Sequence, residues 1–74
     1  MSFYKHYKGD LYRFLFIAKE STNTRSRRDV VIYISLKTGE INCRDAVEFF
    51  GVVEWPDGTK VRRFIECDPP EFYA

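Results

Sequence analysis

Four ring residues crowd the start of the chain: Tyr4, His6, Tyr7 and Tyr12. Two separated arginines, Arg44 and Arg63, complete the set of residues whose types suit chemistry. Rings stack on flat ligands at low entropic cost, and an imidazole donates a hydrogen bond. A guanidinium fork grips phosphate or carboxylate with two parallel bonds. Together they outline a site for a small anionic or nucleotide-like ligand. A plainer reading stands beside it. Rings fill a small core and keep their polar tips in water. Arg44 and Arg63 can equally form ordinary salt bridges to Glu40, Glu48 or Glu54, each worth about 0–1 kcal/mol at a surface.

A second candidate is the polar stretch from Lys19 to Asp29, with Arg25, Arg27 and Arg28 near its end. It reads as a basic loop for docking on an acidic protein surface, or as a solvated loop that only keeps the chain soluble. Trp55 before Pro56 is either an exposed anchor or a packing residue, and packing is expected. Catalysis finds little support. There is one His, no nucleophile elbow, no phosphate loop and no paired-acid motif. Cys43 reads as a small strand hydrophobe, and neither it nor Cys67 sits in a metal-ligand spacing. The expectation is therefore a non-enzyme with no cofactor, no metal and no catalytic residues.

These residues need a frame. Seventy-four residues make one domain with a thin core. The 45% hydrophobic content, with seven Phe, five Tyr and one Trp, compensates through large rings. Twelve Lys and Arg face eleven Asp and Glu. That balance argues against nucleic acid, which calls for a basic excess. No apolar run approaches the ~18 residues of a membrane span. The N-terminus lacks the apolar stretch of a signal peptide, and two cysteines make no disulfide framework. A reduced, cytoplasmic protein with free thiols is expected, with its oligomeric state, homo-oligomer included, left open.

Leu11–Lys19 reads as a buried strand, after a two-residue turn at Gly9-Asp10. Val30–Leu36 is the clearest strand, its inward face expected to be Val30, Ile32, Ile34 and Leu36. Lys37–Glu40 is a turn, and Ile41–Arg44 pairs back. Asp45 opens one helical turn by capping-box spacing with Glu48. Val52–Trp55 and Lys60–Ile65 flank a turn at Pro56–Thr59, and Pro69-Pro70 leads the tail out of the sheet. The expected fold is all-β: a small barrel of five to six short strands over residues 1–66, then a tail over 67–74. Closure would remove the exposed sheet edges.

Tyr4-Lys5-His6-Tyr7-Lys8-Gly9, followed by Tyr12, Ala18, Ser21, Val30-Val31, Tyr33, Leu36 and Gly39, resembles a short bacterial and phage family known as domain of unknown function 1653. Arg44, Phe49, Gly58, Val61, Arg63 and Phe64 continue the resemblance. It implies an SH3-like barrel and no established activity. Family members usually carry Trp-x-Arg-Pro where this chain has Asn42-Cys43-Arg44-Asp45. They also carry a shorter, acidic loop where this chain is basic.

Overall fold

The computed structural model describes residues 2–21 and 28–73. The fold is mainly β. Strands β1 (Ser2–His6), β2 (Leu11–Lys19), β3 (Asp29–Ser35) and β4 (Ile41–Asp45) run in antiparallel succession. A single helical turn, α1 (Ala46–Phe49), follows. Then come β5 (Val52–Glu54), β6 (Lys60–Arg62) and β7 (Phe64–Cys67). The five-stranded sheet has the order β4-β3-β2-β1-β7, and β5 pairs only with β6.

The sheet is not closed into a barrel, because its outer strands β4 and β7 do not pair with one another. Barrel closure was expected in order to hide the apolar strands. Here a lid of rings does that work on one face. The β1–β2–β3 register sets Tyr4, Tyr12, Phe14 and Tyr33 on one face. Phe49 of α1 and Phe64 of β7 stack face to face at 4.1 Å over it. Val31, Tyr33, Phe49 and Phe64 form the buried cluster.

Local chemistry explains α1. The Asp45 carboxylate accepts the Val47 amide at 2.9 Å, as the capping pattern predicts. Gly51 stops the turn at a close approach, since a Cβ there would lie 2.7 Å from the Val47 carbonyl.

Three further expectations need correction. The inward residues of β3 are Val31, Tyr33 and Ser35, the opposite parity from the one expected. Both faces of that strand are apolar, and the ring lid settles which is buried more deeply. The β1–β2 connection runs over Tyr7–Asp10 and is not a two-residue turn. Gly9 takes the positive φ of +111°, and the His6 amide donates to the Asp10 carbonyl at 2.8 Å. The expected strand Lys60–Ile65 divides at Arg63, with β6 in the small sheet and β7 in the large one. That division raises the strand number to seven. As expected, the tail leaves the sheet after Cys67; it then folds back, and the Tyr73 ring meets Phe3 edge-on at 5.0 Å. Phe3 is only 1% exposed.

No helix among the described residues is long and apolar enough to cross a membrane.

Candidate functional site

The candidate surface forms where β1, β2, β3 and β7 present rings to one side. His6 ends β1, and its imidazole lies 5.0 Å from the Phe64 ring and 6.4 Å from Tyr12. Tyr12 meets Tyr33 at 5.3 Å and Phe64 at 5.6 Å. All four contacts are edge-to-face, the geometry that aromatic quadrupoles favour.

The two arginines flank this floor. Arg44 donates its Nε to the Tyr33 hydroxyl at 3.4 Å, and its guanidinium lies 6.0 Å from the centre of the Phe64 ring. Its link to the Glu48 carboxylate is long, at 3.5 Å. Arg63 sits at the bend between β6 and β7 and donates its Nε to the Glu48 carbonyl at 3.1 Å. Among the described residues, no carboxylate forms an ion pair with Arg63. The two side chains thus bracket Glu48 and hold α1 against the sheet.

The electrostatics agree with this placement. Burial lowers the His6 pKa below its ordinary value, and Arg44, Arg63 and Lys8 lower it further, against Asp10. Both candidate arginines therefore act on His6 from nearby. The Lys8 amide donates to His6 Nδ1 at 3.1 Å, which leaves the neutral ring's proton on Nε2. Burial raises the Tyr12 pKa, with Asp10 and Tyr33 adding and Arg44 opposing. The bond to Tyr33 raises the Arg44 pKa, so its charge is fixed.

His6, Tyr12, Arg44 and Arg63 are thus brought together. Tyr4 is not among them. It packs on Phe49 at 5.2 Å and serves the core, where burial raises its hydroxyl pKa. Strand alternation alone would set Tyr7 on the face opposite His6. Strand alternation ends at His6, however, and the turn lays the Tyr7 ring 4.5 Å from the imidazole and 5.4 Å from Trp55. Trp55 is 40% exposed, so it packs on Tyr7 and still faces solvent. Tyr33 and Phe64 were not singled out for the site, yet they form its floor. Their signal was shared parity: Tyr33 pairs with Phe14, and Phe64 with His6, on the face that also carries Tyr4 and Tyr12.

Of the basic loop, Arg25 and Arg27 lie outside the described residues. Arg28 pairs with Asp45 at 3.1 Å, and Lys19 pairs with Asp29. Both cysteines are free. Cys43 is exposed on β4, unlike the packed hydrophobe expected, because β4 is a sheet edge. Among the described residues, no three His, Cys, Asp or Glu side chains form a metal-holding cluster.

The profile of the family described as Protein of unknown function (DUF1653) matches residues 2–66. The chain belongs to that family. No curated protein and no solved structure matches it. The matched segment includes His6, Tyr12, Arg44 and Arg63, and it stops one residue short of the end of β7.

Proposed function

We propose that this protein is a non-enzymatic binding module for a small, anionic, nucleotide-like ligand. A flat ring would stack across the exposed edges of His6, Tyr7 and Tyr12. Arg63, Arg44 and the His6 Nε2–H would hold the anion. One observation carries this reading above all. Arg44 lies 6.0 Å over the Phe64 ring, itself 5.0 Å from the His6 imidazole, and Arg63 has no carboxylate partner among the described residues. An uncompensated cation beside rings is the complement of a flat anion. The free thiols fit the reducing, cytoplasmic setting that we assign to it.

Thermal melts with inorganic pyrophosphate and a panel of nucleoside mono- and diphosphates test the proposal. At ten times its Kd, a ligand that binds only the folded chain adds ~1.4 kcal/mol. For a domain of this size that is a rise of about 6–11 °C. Arg63→Ala should remove the rise; because it also gives up the bond to the Glu48 carbonyl, its melt is read with and without ligand rather than against the parent. No shift from any member of the panel at 10 mM would refute the reading.

A further inference from the structure

The other face of the five-stranded sheet has a different character. Phe16 on β2, Ile41 on β4 and Ile65 on β7 share it and are 56%, 66% and 55% exposed. The folded-back tail lies over part of it: the Tyr73 ring meets Phe3, and Phe72 lines a shallow depression with Leu11 and Leu36. Arg13 projects from the middle strand onto this face, opposite Phe3 and Ile34 in register. Its Nε is buried with no hydrogen-bond partner, and no carboxylate among the described residues pairs with it. A buried guanidinium donor left unpaired is costly and calls for an acceptor.

The remaining charge on this face points the same way. Lys5 lies beside Ile65 in register and adds a second cation. Among the described strand residues of this face the acid is Asp45, which sits at the end of β4 and already binds Arg28. A second copy docking through the same face would bring its own Arg13 and Lys5 against these two. Like charges in a dry interface oppose such a dimer. A sheet face of this width packs well against an amphipathic helix. A carboxylate within the apolar stripe of that helix would satisfy Arg13.

We infer that this face docks an amphipathic helix of a partner protein, whose apolar stripe carries one acidic residue that pairs with Arg13. The surface is distinct from the ring and arginine site, so either assignment stands without the other.

The probe is a synthetic amphipathic helix with Leu at i, i+3, i+4 and i+7 and one Glu inside that stripe. Its twin carries Gln in place of Glu. Binding is followed by backbone amide shifts in the intact protein. The Glu peptide should bind at least tenfold more tightly than the twin, with the largest shifts at Arg13, Phe16 and Ile41. Arg13→Met should erase the preference between the twins and melt no lower than the parent, because it removes an unpartnered buried donor. If Arg13→Met does not fold, Arg13→Gln carries the same comparison. Equal affinity for the twins would overturn the inference. So would no binding of the Glu peptide at 1 mM, tighter binding to anionic phosphatidylserine vesicles than to the peptide, or dimerisation through this face.

Discussion

Phe49→Ala is the sharpest test of how this fold holds together. α1 is only four residues long and has almost no stability of its own. Its role is to set one ring on the sheet. Phe49 is fully buried, stacks on Phe64 at 4.1 Å, and meets Tyr4 and Tyr33 edge-on at 5.2 Å each. Phe→Ala in a core costs about 3–5 kcal/mol, more where neighbours cannot collapse into the gap. Here those neighbours are stiff rings fixed on strands, so ~4–5 kcal/mol is expected. A domain this small sits near the low end of the ~5–15 kcal/mol range. The variant should therefore be close to unfolding at 25 °C. With a urea slope near ~1 kcal/mol/M, the midpoint should fall by about 4 M, or the transition should vanish. Phe49→Leu, which keeps most of the volume, should lose far less. A midpoint shift below ~1 M for Phe49→Ala would refute the reasoning and show that the sheet holds without its lid.

Three other outcomes follow from particular contacts. Tyr73→Ala removes the ring that covers Phe3 and should cost about 1–3 kcal/mol from the lost pair and the bared ring, whereas an unchanged urea melt would make the tail dispensable. His6 binds its proton less readily in the folded chain than at its ordinary value of 6.5. The unfolded chain then takes up protons first as pH falls, so stability should drop below about pH 6.5 and stay flat above it. Melts from pH 8 to pH 5 should show that drop in the parent and not in His6→Gln; a rise on acidification would contradict the stated placement of Arg44 and Arg63. Arg28→Ser removes an exposed ion pair and should change stability by no more than about 0.5 kcal/mol in the same melts.

Much of this architecture was legible because its signals are local. The β-branched run of β3, the turn glycine at Gly39 and the Asp45 cap each depend on neighbours a few residues away. The misreadings share the opposite property. Val30–Leu36 alternates between two apolar sets, so nothing within the strand says which faces the deeper core; Phe49 and Phe64, distant in sequence, decide it. Barrel closure depends on whether β4 meets β7, which no local pattern encodes. The bend that sends β7 back to β1 likewise depends on long-range pairing, with the Arg63 amide donating to the Gly51 carbonyl at 3.0 Å. For the site, residue type pointed to His6, Tyr12, Arg44 and Arg63. The place where β1 ends, which alone moves Tyr7 beside His6, was not visible in the alternation.

The central claim is that an anion is held between Arg44, Arg63 and His6. Titrating the protein with inorganic pyrophosphate while following the arginine Nε–H and His6 ring signals by NMR tests it directly. The account predicts saturable shifts at Arg63, Arg44 and His6, together with a rise in the His6 pKa as the anion offsets the two guanidinium charges. Shifts confined to other cations such as Lys37 and Lys60, with the His6 pKa unmoved, would contradict it.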